Sequence, residues 1–399
     1  MSETDAEEPI AFAARAPLAP VMRRGSFGLW RRSTMPTLLD APEALLTTSG
    51  RAALALAFEQ LEITAGDEVL LPAYHCAAMS APVRARGAQP AFYRLKPDLS
   101  IDLEDLEGRL GPRCRCIVVV HFFGFPQPLE RIRVLCDRTK TALIEDCAHA
   151  FYAAPSPSQI GRIGDFAVGS LLKFFPIFDG GCLVSFRRSL SPQRMTLGGI
   201  LFQLKALLHV IDYAAAWSDS RLLKAMARGI RGASRLAKAA KPQLEHQLAR
   251  AAPGAALGSL DFEQAWVSTR MSLASKLLLR SADHPRSIER RRAIYQRYLA
   301  ALTSVPGGRP LWSELSDGVV PYVFPFLLST PEVTFHALRC TGVPMYRWED
   351  VAEEACSIAR NYKMRLVQFP CHQALTDEEV SDLISSIERV LKSSGDTSE

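Results

Sequence analysis

Short apolar runs alternate with longer helix-patterned stretches through the first half of the chain. Val69-Leu70-Leu71-Pro72, Gln89–Tyr93, Cys116-Ile117-Val118-Val119-Val120, Ala142-Leu143-Ile144 and Leu183–Phe186 read as strands. The Cys116–Val120 run is apolar at every position, as in a strand covered on both faces. Between these runs lie an alanine- and leucine-rich helix entered at Ser49-Gly50-Arg51, helical patterns over Ala77–Ala85 and up to Leu110, and another over Leu129–Asp137. Such alternation predicts an α/β fold with a mostly parallel sheet and helices on both faces. Ligands of such sheets bind beyond the carboxyl ends of the strands, where His121 and Asp146 fall.

The pattern changes after residue 190. Residues 190–255 are helical and rich in Leu, Ala, Arg and Lys, and Leu222–Lys241 holds six basic residues and no acid. A solvated basic helix face is the first reading of that stretch. A cover over a phosphorylated substrate, holding its diphosphate, and a helix lying on a membrane surface are the others. Pro285–Leu302 predicts a helix with one buried stripe, Val319–Leu328 a strand, and Phe335–Thr341 a helix broken by Gly342-Val343-Pro344. Thr376–Lys392 is an amphipathic helix capped by Thr376, with acids in its first turn. The expected organisation is an arm over 1–40, a large domain over 41–255 containing the helical insertion 190–255, and a smaller C-terminal α/β domain over 256–399. In the arm, Arg23, Arg24, Arg31 and Arg32 read as a solvated basic segment.

Composition narrows the classes. The chain has 399 residues, 48% apolar and 22% charged, which allows two domains of an ordinary globular protein. A net charge of +5 is mild, so no nucleic-acid partner is expected. The acidic N-terminus lacks the basic start of a secretory signal, and a cytoplasmic location is expected. No run reaches the ~18 apolar residues of a membrane span, and no membrane partner is expected. Of nine cysteines only Cys114 and Cys116 lie close together, with no second Cys/His pair at metal-binding spacing. Reduced thiols and no metal are therefore expected, with Cys147 and Cys182 as small buried hydrophobes.

The candidate chemistry is concentrated between Ala142 and Val184. Asp146 ends a strand, and 27 positions later stands Lys173, flanked by apolar residues. A pyridoxal 5'-phosphate (PLP) site needs this pair: a lysine to form the Schiff base, and a carboxylate to keep the pyridine nitrogen protonated. The N–H groups at the start of the Ser49-capped helix would suit a phosphate.

Further motifs stand in order: Ser49-Gly50-Arg51, Pro72-Ala73-Tyr74, a valine run ending in His121-Phe122-Phe123-Gly124, and Glu145-Asp146-Cys147-Ala148-His149-Ala150. Then come Gly164-Asp165, Ser170, Lys173 and Gly180-Gly181, and finally Phe369-Pro370-Cys371-His372 with Leu375-Thr376-Asp377-Glu378-Glu379. Together they resemble the DegT/DnrJ/EryC1/StrS aminotransferases, the sugar aminotransferase family of the fold-type I PLP enzymes, over roughly residues 40–395. The resemblance implies a PLP-dependent aminotransferase with Lys173 as Schiff-base lysine and proton carrier. It also implies Asp146 at the pyridinium nitrogen and His149 at the ring hydroxyl. Ser49, Gly50, Arg51 and Ser170 are expected at the phosphate, and Arg270 as a residue reaching a partner subunit's site in a homodimer. Cys76 stands where the family has a ring-stacking aromatic, and His75 is favoured for that stacking over Tyr74. Two residues fewer than usual separate Ser170 from Lys173. The expected reaction moves an amino group from glutamate or a similar donor to a keto group, most simply on a nucleotide-linked sugar. A non-sugar carbonyl acceptor and a non-catalytic regulatory relative are the alternatives. Relatives that act as dehydratases carry histidine for the lysine, so Lys173 argues against that class.

Overall fold

The computed structural model describes residues 15–28, 33–153, 160–218, 220–240, 262–349, 351–352 and 355–395. Arg31 and Arg32 of the arm and residues 241–255 of the insertion lie outside these. Seven strands form the main sheet: β1 (Glu43–Thr47), β2 (Glu68–Pro72), β3 (Gln89–Tyr93), β4 (Cys114–Val120), β5 (Ala142–Asp146), β6 (Phe166–Ser170) and β7 (Gly181–Ser185). Their order is β1-β7-β6-β5-β4-β2-β3. All neighbours from β6 to β3 are parallel, and β7 runs antiparallel to both β6 and β1. The chain thus has the α/β architecture the alternation predicts. β1 and β6 were not marked by the apolar pattern. Glu43–Thr47 is read as the approach to the first helix, and Phe166–Ser170 is short and hemmed in by Gly164-Asp165.

Helix α1 (Gly50–Gln60) starts where β1 ends, and Ala52 through Phe58 are all buried. Alanine and leucine on every face suit a helix enclosed on all sides. Ser49 caps it, accepting the Ala52 N–H at 3.2 Å. Helices α2 (Ser80–Ala85), α3 (Leu103–Gly108) and α4 (Glu130–Thr139) join the next strands. After β7 come α5 (Ile200–Ala216) and α6 (Arg221–Ala240), then α7 (Leu273–Ser281).

Helix α8 (His284–Leu302) opens with Asp283 accepting the Arg286 N–H and with proline in its first turn. It leads to the antiparallel sheet of β8 (Gly308–Pro310), β9 (Val323–Leu328) and β10 (Leu366–Pro370), in the order β10-β9-β8. Helices α9 (Pro331–Cys340), α10 (Ser357–Arg365) and α11 (Asp377–Gly395) complete this part. Thr376 and Glu379 form a reciprocal cap on α11, at 3.1 and 2.8 Å. Two apolar cores result. One fills the main sheet and its helices, and the other gathers Tyr298, Phe324, Phe369, Leu383 and Ile387.

The arm corrects one expectation. Arg23 is not a solvated cation: it grips both oxygens of Glu379 at 2.6 and 2.7 Å and donates to the Ala374 carbonyl. Nearby, His372 Nε2 pairs with the Pro17 carbonyl at 2.9 Å, so this part of the arm is laid against the C-terminal segment.

Candidate active site

The carboxyl ends of β2, β4, β5 and β6 converge on one edge of the sheet. Asp146 is the last residue of β5, Ser170 the last of β6, and His121 follows β4. Because β7 is antiparallel, its first residue, Gly181, comes to the same edge and pairs with Ser170. A Cβ on Gly181 would lie 2.2 Å from the Ser49 carbonyl and 2.6 Å from the Gly50 nitrogen. Only glycine lets the α1 amino end come this close. A Cβ on Gly50 would in turn sit 3.3 Å from the Ser170 side chain. Ser49, Gly50 and Ser170 are thus brought together at the amino end of a helix, whose dipole and N–H groups suit an anion.

The short Ser170–Lys173 connection is a single 3-10 turn, Leu171–Lys173, that begins as β6 ends. Its ends are tied by Leu171 N–H to the Gly180 carbonyl and Phe174 N–H to the Leu171 carbonyl, both at 3.0 Å. Lys173 Nζ lies over the Tyr322 ring, 5.3 Å from its centre. Burial lowers the lysine pKa and nearby Arg51 adds to this, while Cys76 and Asp146 oppose it. Asp146 accepts the Ala148 N–H at 2.8 Å, and burial raises its pKa against the pull of that bond, Lys173 and His121. Lys173, Asp146, Arg51 and Cys76 therefore share one electrostatic environment.

His149 lies between two rings, Phe123 at 5.5 Å and Tyr322 at 4.6 Å, both stacked. Its Nδ1 accepts the Phe123 N–H at 3.3 Å. Burial, then Lys173, push its pKa well below the ordinary value, so the ring is neutral. Phe123 takes a left-handed φ of 57°, and its carbonyl accepts the Tyr322 N–H at 2.8 Å. This turn fastens β9's approach to the β4 end. It depends on Gly124, at φ 103°, where a Cβ would meet the Val320 carbonyl at 2.5 Å.

Two expected residues stand apart. The His75 ring is stacked on Phe92 at 5.0 Å and held through both nitrogens, by the Ala73 carbonyl and the Ser80 hydroxyl at 3.2 Å each. Arg270 is exposed; its backbone bridges to Thr47 and its N–H reaches the Thr196 carbonyl.

Glu145, beside Asp146, has a different role. It is fully buried and accepts from the N–H groups of Gly161, Ile163 and Gly164 at 2.6–2.7 Å and from His121 Nε2 at 2.8 Å. His121 Nδ1 accepts the Gln127 N–H, which puts the imidazole proton on Nε2. His121, Glu145 and Cys147 lie within 4.8 Å of one another; His121 and Glu145 are engaged with each other and with backbone N–H groups, and Cys147 Sγ donates to the Glu145 carbonyl at 3.8 Å.

Several residues at the site carry no local sequence signal: Tyr322, Trp348 and Arg291. Arg291 is wholly buried and donates to the carbonyls of Lys173 (3.0 Å), Pro321 and Tyr322 (3.1 Å each) and to Gln373 Oε1 (2.9 Å). Its guanidinium covers the Phe174 ring at 4.5 Å, and burial draws its pKa down to about 10. Its spacing on α8 marks a buried stripe, but not a buried cation.

Comparison with known proteins agrees with this architecture. An aminotransferase, TlmJ from Streptoalloteichus hindustanus, superposes with a TM-score of 0.60 at 22% identity, covering 88% of this chain and 86% of that one. The chain shares its fold with that aminotransferase. Residues 33–194 match the model of the DegT/DnrJ/EryC1/StrS aminotransferase family. The GDP-perosamine synthase of Vibrio cholerae is 31% identical over 150 residues, 37% of this chain and 41% of that relative. The match thus spans less than half of that protein's length. The dTDP-4-dehydro-2,3,6-trideoxy-D-glucose 4-aminotransferase of Saccharopolyspora spinosa is 23% identical over 376 residues, 89% of this chain and 86% of the relative. Among the described residues no helix is long and apolar enough to cross a membrane.

Proposed function

We propose that the chain is a PLP-dependent aminotransferase that moves an amino group from glutamate or a similar donor to the keto group of a nucleotide-linked sugar. The observation that carries this reading is the meeting of Lys173, Asp146 and the amino end of α1 at one strand edge. The donor set suits the cofactor. Ser49, Gly50 and Ser170 surround helix-start N–H groups fit for a phosphate, with the cation of Arg51 close by. Asp146 is a buried carboxylate with no ion-pair partner within 4.0 Å among the described residues, as a site for a protonated ring nitrogen requires. PLP supplies an electron sink next to the carbon that gains or loses the amine.

The protein's part is to position groups and move protons. Lys173 would hold the cofactor, and its Nζ would carry the proton on and off the substrate carbon. Its lowered pKa keeps a larger fraction of the amine neutral and able to take that proton. Neutral His149, stacked on Phe123 and Tyr322, would hold the ring hydroxyl. The sugar-nucleotide acceptor is supported by the relatives, whose names carry GDP- and dTDP-linked sugars. A homodimer is part of the proposal, with exposed Arg270 completing the partner's site; sedimentation showing a fully active monomer would contradict it.

The test is spectroscopic and chemical. Purified protein incubated with PLP should turn yellow and bleach with glutamate. Nucleotide-linked keto sugars should restore the colour. Lys173→Ala should lose both half-reactions, and undiminished turnover by that variant would sink the assignment.

A further inference from the structure

The main sheet has a second edge, where β4, β5 and β6 begin and β7 ends. A cavity of about 590 Å³ opens there, at the opposite ends of the strands from Asp146 and Ser170. Its walls come from the carboxyl ends of α1 and α4, the strand starts and the turn after β7. Arg115, Arg133, Lys140, Arg187 and Arg188 line it with Glu62, Asp137 and Asp165, five cations against three acids. Asp165 is its frame. Buried just before β6, it accepts from Leu143 N–H (2.8 Å) and Arg133 (3.0 Å) on Oδ2, and pairs with Arg188 at 2.8 Å on Oδ1. Its carbonyl accepts the Ser185 hydroxyl at 3.1 Å, and Ser185 Oγ in turn accepts the N–H groups of Arg187 and Arg188 at 3.3 and 2.8 Å. The turn that carries both arginines is thus fixed to the start of β6. Arg133 also pairs with Asp137 at 2.7 Å, yet its Nε is buried with no hydrogen-bond partner among the described residues. The side chains of Lys140 and Arg187 have no partner among the described residues. Arg115 meets Asp67 only at 4.0 Å, beyond hydrogen-bond reach. Of the three acids only Glu62 is outside an ion pair among the described residues. The carboxyl-end dipoles of α1 and α4 answer about one unit of the positive charge between them. Three cations with hydrogen bonds still to give therefore line one cavity, whose volume is that of an organic ligand rather than of a lone ion.

We propose that this cavity is a second ligand site, for an organic diphosphate. Arg115, Lys140 and Arg187 meet its phosphate oxygens, beside Arg133 and Arg188 as Asp165 holds them. The three uncommitted cations come from three separate segments: the start of β4, the end of α4 and the turn after β7. That spread suits linked phosphates better than a single carboxylate, which one guanidinium fork satisfies. The inference stands independently of the proposed reaction, which takes place at the other ends of these strands.

Calorimetric titration of the full-length chain, loaded with PLP, with ADP tests it. ADP should bind at low ionic strength and more weakly as salt is added. Adenosine, which lacks the phosphates, should not bind. Lys140→Gln/Arg187→Gln removes two exposed cations and should weaken ADP binding by about tenfold or more. Arg187→Glu, which sets a carboxylate against the phosphates, should weaken it further. All of these changes fall on exposed side chains, and an unchanged circular dichroism spectrum checks that the fold is kept. Absence of binding at low salt, or adenosine binding as tightly as ADP, would overturn the proposal. So would variants that bind ADP as the parent does, which would put the nucleotide at the acceptor site on the other edge of the sheet.

Discussion

Asp146 and Lys173 are buried close to one another, without a direct ion pair among the described contacts, and each is displaced from its ordinary pKa mainly by burial. In the cofactor-free protein the ionised Asp146 carboxylate therefore costs stability. The sign follows from linkage: a pKa raised on folding gives stability that is full below the unfolded value, near 3.8, and lost as pH rises through the folded value. Asp146→Asn removes the charge and can still accept the Ala148 N–H. At neutral pH the cofactor-free variant should melt a few degrees above the parent, and the difference should shrink as the pH is lowered towards about 4. With PLP bound the same change should slow transamination by on the order of 10²–10³, because the ring nitrogen loses its charged partner. Melting curves at the two pH values and single-turnover rates check the two halves. A variant less stable than the parent at neutral pH would show that Asp146 is stabilised by contacts other than those seen here.

At the scale of elements, the antiparallel entry of β7 brings the α1 amino end against the turn that carries Lys173. Gly181 is the hinge of that arrangement, so Gly181→Ala should force α1 and β7 apart. The expected loss is ~3 kcal/mol of stability together with PLP retention. Dialysis followed by absorbance of the retained cofactor, beside a denaturant titration, measures both. Retention equal to the parent's would mean that the α1 amino end does not hold the phosphate. The contiguous part of this site was legible in the chain. Asp146, Ser170 and Lys173 lie within 28 positions, and the Cys116–Val120 part of β4 announces itself as an unbroken apolar run. Other strands were silent for physical reasons: Gly308–Pro310 has three residues, and Leu366–Pro370 carries a glutamine that the fold buries. Tyr322 and Trp348 reach His149 only through tertiary packing, and no local period encodes that. The stacking choice is a similar case. His75 looked free to stack on the cofactor, but Phe92, Ala73 and Ser80 hold its ring on the β3 side.

Over the whole molecule, α8 joins the two cores: Ile288 packs in the main one, and Ile294, Tyr295, Tyr298 and Leu302 in the other. Arg291 sits between these sets and reaches into both. Its four donated bonds end on uncharged oxygens, and none of these partners is a carboxylate. Keeping a cation there is tolerable because a planar fork satisfies acceptors from three separate segments at once. Lysine would keep the charge and lose the fork, and methionine would leave all four oxygens without this donor. Arg291→Met should therefore lower unfolding stability by on the order of 3 kcal/mol, several buried acceptors being orphaned together. Since Arg291 couples the cores, the unfolding curve should also broaden as the C-terminal core begins to melt ahead of the main sheet. Arg291→Lys should fall between. The Lys173 carbonyl is one of the four acceptors, so both variants should show weakened PLP-lysine absorbance even where folding is complete. Urea titrations followed by far-ultraviolet circular dichroism and by tryptophan fluorescence, the latter reporting on Trp312 and Trp348 near the junction, provide the test. Coincident, unbroadened transitions with a shift under about 1 kcal/mol would mean that the apolar faces of α8 alone hold the two cores together.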